Sequence, residues 1–255
     1  MSDSAPGSAQ PLGVSSIISE TFSVFSKCFL PCFIAALVPS LIIALIALVF
    51  VGSGVILGDP DTIDPASVGT GVAFVTLLGL IAGSVATAVI VRIVYDAKMG
   101  KPVDIGSAIS AALPLLLPIV VLSIASALIM GVGFAVFIIP GIWLAGALAV
   151  VMPAIVVDKA GFGALGRSFQ LTKGYRWPIV GVLFIMLVVL ILAQLVLSLV
   201  TAAFAAISPF LAVFVDASLN AVPQALYSVA PVLIYARLRE IKEGLGIEDV
   251  AKVFD

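Results

Sequence analysis

Of the 255 residues, 62% are hydrophobic and only 10% are charged, against roughly 25% charged in an average soluble domain, so water is excluded as the main solvent of the chain. Twelve Lys and Arg stand against fourteen Asp and Glu, and there is no histidine, which removes the commonest general base and metal ligand and with them Ser-His-Asp or Cys-His catalysis. The expected class is an all-α integral membrane protein, a six-helix bundle, non-enzymatic, with no metal, no cofactor and no nucleic-acid partner.

Residues 1–12 lack a basic segment followed by an apolar one and are expected to be a disordered lead, not a cleavable signal. The membrane domain is assigned to 13–240 and a cytoplasmic tail to 241–255. In "GVSSIISETFSVFSKCFLP", Val14, Ile17, Ile18, Phe22 and Phe25 share one helical face, the pattern of a short helix lying in the membrane interface. Cys28 and Cys32, one turn apart with no further Cys or His to complete a metal site, read as small buried hydrophobes.

A membrane crossing takes about 20 apolar residues, and six stretches qualify: 29–51, 72–94, 115–138, 141–157, 178–204 and 214–236. Within the second, Gly79, Gly83 and Thr87 form a stripe of small residues, as do Ser123, Ala127, Gly131 and Ala135 in the third; such stripes mark close helix contacts or an oligomer interface. Pro140 and Gly141 are expected to make the turn between the third and fourth spans. "KPVDIGSAISAALPLLLP", before the third span, and "GFGALGRSFQLTKGYRWP", before the fifth, resemble the first interfacial helix. Aligning Pro31, Pro118 and Pro178 brings Phe22, Ile109 and Phe169 into register, and likewise Ile18, Ile105 and Leu165. Three repeats of one unit, interfacial helix, helix out and helix back, follow as an expectation.

"AAISPFLAVFVDAS" reads as an outer loop, a re-entrant piece or the start of the last helix. Beyond it Asp216, Asn220, Gln224 and Ser228 recur every fourth residue, with Gln194 of the fifth span as a potential partner. Polar side chains at membrane depth face protein or a wet cavity. The stripe is therefore either a polar pocket open to the outside or a set of interhelical hydrogen bonds with Asp216 capping a helix.

All twelve bases fall on one side of the six-span map, while 52–71 holds three aspartates and no base. By the positive-inside bias both termini are expected in the cytoplasm, with Asp59, Asp61 and Asp64 outside, in a bacterial inner membrane. Arg92, Lys98, Lys101, Arg167, Lys173, Arg176, Arg237 and Arg239 are candidate contacts to anionic lipid, Arg92 by snorkelling to the headgroups.

Two segments carry a family likeness. "PAIVVDKAGFGALGRSFQLTKGYRW" resembles the membrane domain of bacterial glycerophosphoryl diester phosphodiesterases and related stand-alone six-helix proteins. The matching positions are Pro153, Asp158, Gly161, Ala164, Leu165, Arg167, Ser168, Leu171, Lys173 and Gly174. The closing Tyr235, Leu238, Arg239, Glu243 and Gly244 are similar to that family's C-terminal pattern. The resemblance implies a membrane module alone, because the hydrolase would need a barrel with metal-binding carboxylates and histidines. The expected role is a lipid-associated scaffold or accessory subunit of a membrane complex, with membrane lipids and a membrane protein or a second copy as partners. The alternative is a transporter or channel for a small solute that uses the polar stripe.

Overall fold

In hydrocarbon every backbone N–H and C=O must find a partner within the chain, and helices answer that demand throughout. The computed structural model describes residues 12–50 and 65–244, and among these there is no strand. The elements are α1 (Val14–Lys27), α2 (Phe29–Phe50), α3 (Pro65–Lys98), α4 (Ile105–Ala112), α5 (Leu116–Val136), α6 (Ile138–Leu148), α7 (Val151–Val156), α8 (Ala164–Thr172), α9 (Arg176–Ile207) and α10 (Pro209–Glu243). Single 3₁₀ turns at Leu113–Leu115 and Gly161–Gly163 lead into α5 and α8. Six helical stretches are long and apolar enough to cross a membrane: Phe29–Phe50, Gly69–Lys98, Ile105–Val136, Ile138–Val156, Arg176–Ile207 and Phe210–Glu243.

Several boundaries differ from the sequence reading, each for a local reason. Leu12, assigned to the lead, is buried in the core, while residues 1–11 and Asp59, Asp61 and Asp64 lie outside the described residues. The turn between the third and fourth spans falls at Phe137, whose backbone is extended. Pro140 instead sits in the first turn of α6, where a missing N–H costs nothing. The ambiguous stretch after α9 begins the last helix: Ser208 is the N-cap and accepts a hydrogen bond from the N–H of Leu211 at 3.4 Å. That helix continues to Glu243, three residues into the segment assigned to the tail, and Gly244 ends it in the left-handed conformation at φ 66°. The short helix α4 runs on through its 3₁₀ turn into α5; its N-cap, Asp104, accepts from the N–H groups of Gly106 and Ser107. The hydrogen bonds from Ser107 and then Gly106 hold the Asp104 carboxyl below its ordinary range.

The packing centre is α10, which touches α1, α2, α3, α7, α8 and α9. Its fully buried residues concentrate near its C-terminal end, from Val229 to Leu238. They meet Ile90, Ile93 and Val94 of α3, Ala154 and Ile155 of α7, and Ile179 and Val182 of α9 in one core. All described Lys and Arg lie at this end of the bundle, called the basic end below. Towards the opposite end large apolar side chains are exposed, among them Val49, Val136, Phe137, Leu199 and Ile207, as suits a surface wetted by lipid.

Close helix contacts use some of the expected glycines and not others. Gly79 and Gly83 face Ile43 and Gln224, but a Cβ at Gly131 would meet nothing within 4 Å. The α5–α6 hairpin closes instead at Gly133, where a Cβ would come within 3.2 Å of the Gly141 Cα. Cys28 and Cys32 are buried free thiols, with sulfurs 3.5 Å apart. A Cβ at Gly146 would stand 2.9 Å from the backbone oxygen of Arg176, which cannot rotate away. Gly146→Ala is therefore expected to lower stability by about 1–3 kcal/mol through overpacking, measured as the thermal unfolding midpoint in mild detergent. Gly131→Ala should change it by less than about 1 kcal/mol, towards higher stability, because alanine is the better helix former.

Candidate functional site

Two regions carry the polar chemistry, one inside the bundle and one at its basic end. Inside, a cavity of about 560 Å³ lies between α2, α3, α9 and α10. Most of its wall is small and apolar, such as Ala36, Ala44, Gly79 and Ala82, and its polar groups are Ser40, Thr201, Asp216 and Gln224. A second cavity of about 540 Å³ is lined by Thr87, Gln194, Asn220, Gln224, Tyr227 and Ser228. A third, of about 240 Å³, shares Thr87, Tyr227, Ser228 and Pro231 with the second and adds Ser123 and Ser126. The stripe and Gln194 thus meet cavities, but not one pocket. A four-residue step advances about 40° around a helix, so from Asp216 to Ser228 the stripe turns by about 120° and passes from the first cavity to the second. Gln224 borders both.

Much of the stripe is satisfied by its own helix. Asn220 Nδ2 donates to the Asp216 carbonyl at 2.9 Å, and Ser228 Oγ to the Gln224 carbonyl at 2.9 Å. Asp216 does not cap a helix; its Oδ1 accepts from Thr201 Oγ1 of α9 at 3.3 Å. Ser40 Oγ ties α2 to α10 through the Ala217 carbonyl at 3.2 Å. The carboxamides of Gln194 and Gln224 make no hydrogen bond among the described residues and are left to face the cavities. Asp216 is the one described charged residue away from the basic end. Such a site can hold an apolar or amphiphilic molecule and offer it a carboxylate, hydroxyls and amides.

At the basic end, the chain leaves α7 at Asp158 and turns through Lys159 and Gly161, both with φ 51°. A lysine in that left-handed region costs about 1–2 kcal/mol, and the contacts made by its neighbour hold it there. Arg167 of α8 pairs with Asp158 through Nε at 2.9 Å and with Glu243 of α10 through Nη2. Arg239 reaches Asp158 at 3.5 Å and Glu243 at 3.0 Å. Burial pulls the Arg167 guanidinium down, and hydrogen bonds to Asp158 and Glu243 outweigh it, so its pKa ends above the ordinary value. The buried Tyr235 hydroxyl lies beside Asp158 without a hydrogen bond of normal geometry.

The eight candidate lipid contacts separate accordingly. Arg92 pairs with Asp96 at 2.8 Å, and Lys98 is held by Glu20 of α1 at 2.9 Å. Arg237 pairs with Glu240 at 2.9 Å. Lys101, Lys173 and Arg176 form no ion pair among the described residues. Sequence reasoning singled out Asp158 and Glu243 by the family likeness but paired neither them nor Glu20 with a base, and it passed over Lys242 and Trp143, which flank Lys173 and Arg176. The spacings of Arg92 with Asp96 and of Arg239 with Glu243 were visible as helical neighbours; the pairs between distant segments had no local signal. No group of three or more metal-ligating side chains occurs among the described residues.

Comparison of the chain with protein-family models, curated proteins and solved structures finds no match.

Because Arg167 bridges two carboxylates, its loss leaves both to Arg239 alone. Arg167→Ala is expected to cost about 1–3 kcal/mol of stability, read from unfolding in mild detergent. In a double-mutant cycle with Glu243→Gln the coupling should exceed about 0.5 kcal/mol. Lys101→Ala, at an exposed base without an ion pair, should stay within about 0.5 kcal/mol of the parent.

Proposed function

We propose that this chain is a non-catalytic, multi-pass membrane protein that holds lipid in the bundle and serves as a scaffold or accessory subunit of a membrane complex. The observation that carries the reading is the cavity between α2, α3, α9 and α10. Its wall is mostly small and apolar, with Ser40, Thr201, Asp216 and Gln224 as its polar groups. That combination suits an amphiphile better than a hydrated ion. The likeness to the membrane domain of glycerophosphoryl diester phosphodiesterases belongs to the same proposal and brings no hydrolase activity with it.

The proposed architecture is three repeats of a short interfacial helix followed by two long ones. Burial recurs in the register set by Pro31, Pro118 and Pro178: Thr21, Ala108 and Ser168 are buried, as are Cys32, Ile119 and Ile179, while Leu30, Leu117 and Trp177 are 63%, 66% and 62% exposed. Equivalent positions therefore meet equivalent surroundings, which supports descent of the three units from one pattern. The proposed orientation puts the basic end in the cytoplasm of a bacterial cell.

A second reading, passage of a small solute, is favoured by the sharing of residues between successive cavities along α10. Solvent access separates the two. In a chain with Cys28 and Cys32 replaced by Ser, a single cysteine from Gln224→Cys should resist a membrane-impermeant thiol reagent if lipid fills the cavity. Rapid labelling from outside would favour the solute path. The same reagent on intact cells should label Asp61→Cys and spare Lys252→Cys; the reverse pattern would overturn the orientation.

Lipid retention is the direct check on the main reading. The chain purified in mild detergent should carry bound phospholipid, and Ala44→Phe, which places a ring in the cavity, should reduce it while Val49→Ala on the exposed face leaves it unchanged. Recovery of a monomer with neither lipid nor a partner protein would sink the proposal.

A further inference from the structure

The ion pairs at the basic end divide its cations into two populations. Arg92, Lys98, Arg167, Arg237 and Arg239 each face a carboxylate. Lys173, Arg176 and Lys242 gather at the C-terminal end of α8 and form no ion pair among the described residues. The nearest acids in sequence, Glu240 and Glu243, are already committed to Arg237, Arg239 and Arg167.

Backbone oxygens hold two of the three cations in place. Lys242 Nζ donates to the carbonyls of Gln170 at 2.7 Å and Lys173 at 2.8 Å, and Arg176 Nη2 to the carbonyl of Phe169 at 3.3 Å. The Phe169 and Gln170 oxygens, in the last turn of α8, carry the negative end of the helix dipole, equivalent to about half a charge, against three positive charges. The Arg176 guanidinium lies 4.0 Å from the Trp143 ring centroid, and its Nε is buried without a hydrogen-bond partner. Lys242 and Arg176 are thus fixed beside the exposed Lys173, with donors to spare and no ion pair among the described residues.

We propose that Lys173, Arg176 and Lys242 form a binding site for a phosphate group, supplied by the headgroup of an anionic phospholipid. A phosphate accepts several hydrogen bonds at once and supplies the charge that backbone carbonyls cannot, and a guanidinium fits it in two-pronged fashion. The lipid source follows from the surroundings: Trp177, adjoining Arg176, is 62% exposed, and exposed tryptophan at the end of a membrane helix marks headgroup level. The inference rests on the chain being a membrane protein and is separate from the cavity on α2, α3, α9 and α10.

The chain contains two tryptophans, Trp143 and Trp177, and both adjoin the site, so intrinsic fluorescence reports on it locally. The full chain in a neutral detergent is titrated with short-chain phosphatidylglycerol, short-chain phosphatidylcholine or inorganic phosphate. Phosphatidylglycerol should produce a saturable change that phosphatidylcholine produces only at much higher concentration. Removing one charge should weaken the phosphatidylglycerol response about fivefold near the membrane surface. Lys173→Gln is the primary variant because that side chain makes no hydrogen bond the fold needs; Lys242→Gln follows, with its unfolding midpoint checked. Lys101→Gln, an exposed base at the same end, should leave the titration unchanged. A response to inorganic phosphate in the same range supports the site and assigns it to a soluble anion instead of lipid. Equal responses to the two lipids, no response, or the same midpoint for Lys173→Gln and the parent would overturn it. Cavity lipid plays no part in this readout, so loss of retained phospholipid in Ala44→Phe with an intact fluorescence titration separates the two proposals.

Discussion

Arg167 neutralises two carboxylates that approach it from different parts of the chain, Asp158 at the end of the fourth span and Glu243 at the end of the last. Both acids are largely withdrawn from water, with side chains 17% and 22% exposed, so each gains from a counter-charge in place. The bridge fixes α8 against the last turn of α10, and α10 in turn touches every long helix except α5 and α6 through sizeable contacts. The left-handed Gly244 stops α10 one residue after Glu243, so the helix ends where its carboxylate is required. Arg239 closes the figure from the same helix, leaving neither acid dependent on a single partner.

The spans were legible in the sequence because hydrocarbon thickness imposes a length and a composition on each, and all six expected stretches overlap helices of that kind. Span ends were less legible. Proline and glycine mark turns in water, but in "IIPGI" the proline occupies a first helical turn and Gly141 serves helix contact, with a Cβ there only 2.5 Å from the Phe134 ring. Ser208 and Pro209, a hydroxyl cap followed by proline, form a standard helix opening, and of the three readings open for that stretch the start of the last helix is the one found. The candidate site was legible as a period of four in α10, which depends on one helix alone. Its division between two cavities depends on how α2, α3 and α9 pack around that helix, and nothing local to the stripe encodes it.

Within the bundle, polar groups are treated in two ways. Ser84, Thr87, Asn220 and Ser228 donate back to carbonyls one turn earlier, which satisfies a short side chain without a neighbour and leaves the helix free to be lined by apolar space. Gln194 and Gln224 are too long to fold back with the same economy, and their amides remain turned to the cavities. A carboxamide in hydrocarbon without a partner costs several kcal/mol. Gln194 is exposed, so its amide is open to the surroundings of the bundle. Asp216 adds the single described charge on that side, steadied by one hydroxyl of Thr201.

The count of bases that orients a membrane protein is taken during insertion, when acids weigh little, and it says nothing about which charges survive folding. At the basic end eleven described bases and six described acids leave a net charge of +5. Five of the bases are drawn into ion pairs with five of the acids, while Asp104 is spent as the cap of α4. The remaining positive charge could have been spread evenly, which would minimise repulsion. Half of the unpaired bases are instead assembled at the end of one nine-residue helix, and aromatic rings and backbone oxygens orient two of them, Arg176 and Lys242, without cancelling them. Repulsion at such range is tolerable beside a screened aqueous surface and is relieved outright by an anion, so the arrangement is cheapest in the place where headgroup phosphates are densest.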